Sequence, residues 1–366
     1  QYYLHNFLTS QPDLNYHNPA VQDWALDNMR FWLERGVDGF RFDTVNYFFH
    51  DPLFRDNPAD YRVKTEPEGN PYGMQYHLFS KNQPENLVWM ERIRTLLDEY
   101  GAASVGEMGE AHHAIRMMGE YTTGKRLHKC YSFEMLGDGF TAGHFRRQIE
   151  EFFTGAPGGW PTWAFSNHDV VRHVTRWAKQ GLNDEALARL AGALLLSLQG
   201  SICVYQGEEL GLGEADVPYE SLQDPYGKTF WPNFKGRDGC RTPMPWNSQL
   251  PDLGFGGAAK NAKPWLPVAE SHRALAVDRQ EADAASLLQL YRQLLAWRRT
   301  QPALIHGDMA LLPAHAQVLA YVRSHRGQRV LCAFNLSERN ATLALPAGMS
   351  VGAVLDDSGA AGAQVR

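Results

Sequence analysis

Four cysteines in 366 residues, Cys130, Cys203, Cys240 and Cys332, lie far apart and form no C-x-x-C pair. That spacing excludes a thiolate zinc cage and a small disulfide framework, and it predicts reduced, mostly buried thiols in a cytoplasmic protein. Long apolar runs are also missing. The greasiest stretch, residues 190–198, is far short of the roughly 18 residues a membrane span requires, so no membrane partner is expected. There is no excess of positive charge: 35 Lys and Arg against 41 Asp and Glu leave a net charge of -6. A nucleic-acid binder needs a basic face, so none is expected here. Repeats are absent, and the only biased segment is a Gly/Ala-rich tail at 359–363. No leader precedes Gln1, and a start at Gln1-Tyr2-Tyr3 reads as cut from something longer. Aromatic residues are abundant: 10 Trp, 15 Tyr and 18 Phe. They suit a core first and sugar-binding platforms second.

Between residues 20 and 205, short β-rich runs alternate with amphipathic stretches. A helix is predicted over 20–35, with Pro19 near its start and Gly36 at its end. Strands follow at 39–43, 103–107, 131–135, 162–165 and 202–205. Helices over 86–100, 143–154 and 184–198 lie between them, the last capped by Asn183. Five strands separated by helices are the pattern of parallel βα units. The long loops follow the strands, where a barrel keeps its active site. A closing helix over 284–300 leads to short alternating runs at 318–323, 330–336 and 341–345, which predict a small antiparallel β domain.

Three acids end strand candidates: Asp43, Glu107 and Asp169, separated by 107 − 43 = 64 and 169 − 107 = 62 residues. At roughly 30 residues per βα unit, the second interval fits two units. The first fits one unit enlarged by a long loop, 51–84. The acids then share one rim, where two carboxyls about 5–5.5 Å apart can act as nucleophile and acid. Arg41 stands two residues before Asp43 on the same strand face, and a neighbouring cation keeps a carboxylate ionised. Glu107 follows a glycine in a run with little compensating charge, so a raised pKa and a general-acid role are expected. Asn167 and His168 precede Asp169 and can grip sugar hydroxyls. Glu110, His112 and His113 match no standard zinc spacing and read as rim residues instead. Glu208 and Glu209 read as a helix start. Trp231, Trp246 and Trp265 fit packing and sugar stacking equally well.

Residues 39–46 (GFRFDTVN), 105–107 (VGE) and 165–169 (FSNHD) resemble the second, third and fourth signature regions of the α-amylase superfamily, glycoside hydrolase family 13. Residues 11–15 (QPDLN) and 205–211 (YQGEELG) resemble its accessory motifs. Residues 236–244 (GRDGCRTPM) resemble the α-glucosidase and oligo-1,6-glucosidase branch. The resemblance implies a (β/α)8 TIM barrel, an α/β fold, with residues 19–301 as its later part, roughly strands 4–8. Residues 1–18 would end a loop domain inserted after strand 3, and 302–366 would form an incomplete C-terminal β domain. It implies Asp43 as nucleophile, Glu107 as acid/base, and Asp169 as the carboxylate gripping the hydroxyls at carbons 2 and 3. Arg41 and His168 would support them. Arg237 and Arg241 both stand open as the residue holding the non-reducing end, with Arg241 favoured. Thr44, after the nucleophile, implies α-1,4 preference, and the loop 51–73 would wall the acceptor side. No cofactor and no required metal are implied.

The implied activity is a retaining exo-α-glucosidase cleaving maltose-like α-1,4 glucosides, with transfer to alcohol or sugar acceptors. The alternatives are a trehalose- or sucrose-converting transglycosidase and, in a different class, a non-catalytic member of the transporter-heavy-chain kind. The superfamily's first signature, an Asp three residues before Asn-His, is absent. The remaining barrel strands, 1–3, are therefore expected from another chain or from sequence not included here.

Overall fold

The computed structural model describes residues 2–61, 72–110, 113–178, 184–256, 263–314 and 316–345. The chain divides into two compact units, Gln1–Glu134 with Glu150–Thr162, and Met135–Ile149 with Trp163–Arg366.

In the first unit, α1 spans Pro19–Leu33. Asn18 is extended and its side chain accepts the Ala20 N–H at 3.0 Å, while proline fills the first helical position. Both devices satisfy or remove donors that a helix start leaves unpaired. Strand β1 (Gly39–Phe42) is followed, later in the chain, by α2 (Glu85–Tyr100). That helix buries Trp89, Met90, Ile93, Leu96 and Leu97 at helical spacing and ends on Gly101 in the left-handed region. Strand β2 (Ala103–Met108), helix α3 (Ala114–Thr122) and strand β3 (Lys129–Ser132) follow. The strands form a parallel sheet in the order β1-β2-β3, with Phe42 opposite Gly106 and Glu107 opposite Tyr131. Glycine is required at 39, because a Cβ there would lie 2.3 Å from the Ala103 carbonyl oxygen.

The second unit takes in part of α4 (Ala142–Gly155) and β4 (Thr162–Ala164). It continues through α5 (His173–Trp177), α6 (Asp184–Ser197) and β5 (Ser201–Cys203), the strand hydrogen-bonded beside β4. Phe140, Phe145, Phe165 and Trp177 pack ring against ring, with centroids 4.9 to 6.0 Å apart. Helices α7 (Pro225–Phe230), α8 (Val277–Ala282), α9 (Leu287–Arg299) and α10 (Pro302–His306) complete the helical part. Ala188 and Leu196 of α6 pack on Leu287, Leu290, Tyr291 and Leu294 of α9. Strands β6 (Asp308–Leu311), β7 (Val318–His325) and β8 (Gln328–Asn335) make an antiparallel sheet. Arg323 of β7 is fully buried and donates to the carbonyls of Ser197 and Gly307 at 2.9 and 2.8 Å.

The elements differ from the sequence reading in several places, and helix α3 is among those not expected. Strand β3 starts and stops earlier than 131–135, because its ladder with β2 ends at the Met108–Ser132 pair. Strand β6 was not expected; four residues are too few to show a period. Residues 341–345 form no strand despite their alternation, and none of them is buried. The cap expected at Asn183, the Gly/Ala-rich tail and residues 62–71 of the loop 51–73 lie outside the described residues.

Gly39→Ala forces β1 and β2 apart, since the obstructing atom is backbone. We expect a loss of at least about 1–3 kcal/mol, read as a lower denaturation midpoint.

Candidate active site

The first unit gathers Arg41, Asp43, Thr44 and Glu107 at the carboxyl ends of β1 and β2. Asp43 comes one residue after β1, and its side chain is 68% exposed. Glu107 lies within β2 with its side chain 3% exposed. Parallel pairing puts these ends side by side. The Arg41 guanidinium bonds Asp43 with Nη1. Its Nη2 lies 2.8 Å from Glu107 Oε2 and donates to Tyr131 Oη at 2.9 Å. Thr44 turns into the left-handed region with φ 38, and its N–H donates to Glu107 Oε2 at 3.2 Å. The next N–H, from Val45, donates to the Glu107 carbonyl at 3.0 Å. The chain leaving the Asp43 strand is thereby stitched onto the Glu107 strand. Gly106 allows this closeness, because a Cβ there would meet Leu127 Cδ1 at 2.6 Å and Val45 Cγ1 at 2.9 Å.

Burial lifts the Glu107 carboxyl to about 7. The Arg41 charge works against that shift; the negative charge of Asp43 and a hydrogen bond between the two carboxyls work with it. Burial also opposes the charge on Arg41, but Tyr131 and Glu107 overcome it and hold the guanidinium above its ordinary pKa. The run around Glu107 carries no cation of its own, and the compensating charge comes from the neighbouring strand. Arg41 of β1 is its ion-pair partner, and desolvation raises the carboxyl in spite of it.

The second unit gathers His168, Asp169, Arg237 and Arg241. Asp169 follows β4, and its N–H donates to Asn167 Oδ1 at 2.8 Å, which fixes the turn. Asp169 Oδ1 accepts from Arg237 Nη1 at 3.0 Å and from Arg241 Nη2 at 2.8 Å. His168 Nε2 is 3.3 Å from Asp169 Oδ2, and the His168 carbonyl accepts from Arg241 Nε at 2.6 Å. Both candidate arginines therefore reach the same carboxylate. They differ in what else holds them: Arg237 is clamped by Asp224 through Nε and Nη2, each at 2.9 Å, and Arg241 by a carbonyl.

Tyr131 and Asp224 were missed in the sequence. Tyr131 sits opposite Glu107 in the parallel register, which only strand pairing reveals. Asp224 precedes a proline, and that signal suggests only a helix cap. Glu110 is not a rim residue: its side chain is buried, takes a hydrogen bond from Asn82 at 2.5 Å and lies 3.5 Å from the buried Lys81. His112 lies outside the described residues. Glu208 is buried in a short 3-10 turn, accepts the Tyr205 N–H at 2.8 Å and is raised by burial to about 8. Among the described residues no three His, Cys, Asp or Glu side chains form a metal-holding group.

Parallel βα units with acids at the strand ends, followed by an antiparallel sheet, are an arrangement that suits a glycoside hydrolase. Residues 1–307 match the family described as alpha amylase, catalytic domain, and residues 309–359 match the maltogenic amylase C-terminal domain. The chain belongs to the α-amylase family of glycoside hydrolases. It is 52% identical over 353 residues to a probable alpha-glucosidase of Rhizobium meliloti (strain 1021), covering 94% of this chain and 63% of that protein. It is 29% identical over 384 residues to an oligo-1,6-glucosidase of Heyndrickxia coagulans, covering 94% and 66%. The solved structure of an alpha-glucosyl transfer enzyme, XgtA, superposes with a TM-score of 0.89 at 54% identity, covering 95% of this chain and 65% of that one. The chain thus spans about two thirds of the length of these relatives.

The Glu107 shift sets a direction for stability. A carboxyl at about 7 in the fold, against 4.5 ordinarily, keeps a proton that the unfolded chain has lost. Stability therefore falls as pH rises from about 4.5 through about 7. Glu107→Gln should remove part of that fall, so denaturant melts at pH 5 and pH 8 should differ less in the variant than in the parent.

Proposed function

We propose that this chain carries the reacting carboxyls of a retaining exo-α-glucosidase acting on α-1,4-linked glucosides such as maltose. The observation that carries the reading is the asymmetry of the acids on neighbouring parallel strands. Asp43 is exposed, Glu107 is buried with its carboxyl raised to about 7, and one arginine joins them. An Asp43 oxygen attacks the anomeric carbon as the glycosidic bond breaks, and Glu107 gives its proton to the departing oxygen. Water or an acceptor hydroxyl then attacks the glucosyl ester and returns a proton to Glu107. Two inversions retain the α configuration.

Asp169 would grip the hydroxyls at carbons 2 and 3, with His168 beside it and the two arginines toward the non-reducing end. Thr44 lines the nucleophile's turn and favours α-1,4 bonds. The likeness to an alpha-glucosyl transfer enzyme supports transfer to alcohol or sugar acceptors beside hydrolysis. We assign this chain to barrel strands 4–8, with residues 1–18, 19–301 and 302–366 as loop-domain end, barrel and β domain. The glucose pocket also needs the family's first signature, which we assign to further polypeptide. In support, β1 pairs on one side only among the described residues, and Trp24, Phe31 and Trp32 of α1 are exposed. Open edges and apolar faces are surfaces that proteins cover. The free thiols suit the cytoplasm, and no described helix is long and apolar enough to cross a membrane.

Asp43→Asn in the full-length protein should abolish turnover of maltose; a tenth of parental turnover would sink the assignment. Glu107→Gln should slow maltose cleavage by about 10²–10⁴-fold. A dinitrophenyl α-glucoside, whose leaving group needs no proton, should be spared at its first step, seen as a burst. Parental turnover should decline as pH rises through about 7, where Glu107 loses its proton.

A further inference from the structure

We propose that Asp224 is a positioning residue: its buried carboxylate locks Arg237 so that one N–H reaches Asp169, and this sets how tightly the site grips the non-reducing glucose. The inference rests on the α-glucosidase reading and deepens it.

The geometry is a fork held by a fork. Asp224 takes Arg237 Nε on Oδ2 and Nη2 on Oδ1, each at 2.9 Å, and the Arg237 backbone N–H on Oδ2 at 2.8 Å. That leaves Nη1 for Asp169, at 3.0 Å. The Asp224 side chain is fully buried, while that of Arg237 remains 33% exposed. An unclamped arginine would sample many rotamers and would have to be ordered when a sugar binds. A bidentate carboxylate removes that freedom beforehand. Burial alone would raise the Asp224 carboxyl, but the Arg237 guanidinium overcomes this and holds it below the ordinary value.

The clamp is itself clamped. The N–H groups of Gln223 and Asp224 both donate to Asp238 Oδ2, at 2.6 and 2.9 Å. Asp224 thus binds the backbone beside Asp238, and Asp238 binds the backbone of Asp224. Gly236, with φ +78, lets the two stretches approach: a Cβ there would stand 2.8 Å from Gly227 Cα and 2.9 Å from Asp224 Oδ2. Charges balance locally, with Asp169 and Asp224 facing Arg237 and Arg241. Without the Asp224 charge, Arg237 is free to turn its fork onto Asp169 and compete with the sugar hydroxyls for that carboxylate.

A structural role has a separate signature. Asp224 also caps α7 through the Tyr226 N–H at 3.3 Å. Asparagine caps a helix as well as aspartate does, and serine nearly so. Asp224→Asn and Asp224→Ser therefore keep the cap and remove the charge.

The test is a double-mutant cycle in the full-length protein with p-nitrophenyl α-glucoside. The variants are Asp224→Asn, Asp224→Ser, Arg237→Lys and Asp224→Asn with Arg237→Lys, each with a thermal melt. Either Asp224 variant should lower kcat/KM about 10- to 100-fold, mainly through KM. The double variant should fall within about twofold of Arg237→Lys alone, because Asp224 acts through that arginine. Parental kinetics in the Asp224 variants, or additive losses in the double, overturn the inference. So does failure of both Asp224 variants to fold while Arg237→Lys folds, for the carboxylate would then serve the fold alone. A parent unable to cleave the glucoside overturns the α-glucosidase reading and this inference with it. An active parent with an additive cycle overturns this inference alone.

Discussion

The first unit is organised around one guanidinium. Arg41 joins Asp43, Glu107 and Tyr131, which stand on or just after three successive strands of a parallel sheet. A buried carboxyl is tolerated only with a partner or a proton, and Glu107 has both within reach. That arrangement requires β1 and β2 to lie in one register, with glycine at 39 against the Ala103 backbone and at 106 against the side chains of Leu127 and Val45. It also requires Thr44 to turn into the left-handed region and aim its N–H at Glu107. Packing, backbone conformation and electrostatics meet in these few residues.

The second unit solves a related problem by different means. Asp169 is a carboxylate held between two arginines, and each arginine is oriented by something behind it. For Arg237 that support is a buried carboxylate, and for Arg241 it is the carbonyl of His168. A charge-rich cluster becomes rigid only when every fork is occupied, and here the protein fills the forks itself. Asp43 and Glu107 differ in exposure, and Asp169 is balanced by the two arginines that reach it.

Much of this was legible in the sequence, for identifiable reasons. Helices with long apolar faces, such as 85–100 and 287–299, were readable because their burial follows a 3.6-residue period. The acids were readable because strand ends in alternating β and α segments point to one rim. Short or unpartnered pieces were not. Strand β6 has four residues, and residues 341–345 alternate without becoming a strand. Glu110 resembled a rim residue because nothing in the linear order announces Lys81 as its neighbour. Asp224 was not singled out at all, because its partner lies thirteen residues away across a glycine turn.

The sequence alone determined the family pattern, the alternation of the longer helices with the barrel strands, and which acids stand near strand ends. Those features are local, set by periodicity, turn chemistry and motif. Tertiary structure decided which acid is buried and which is exposed, what partners each has, and so which one holds a proton near neutrality. The reason is desolvation: the free energy of a charge depends on the neighbours that replace its water, and those neighbours come from distant parts of the chain.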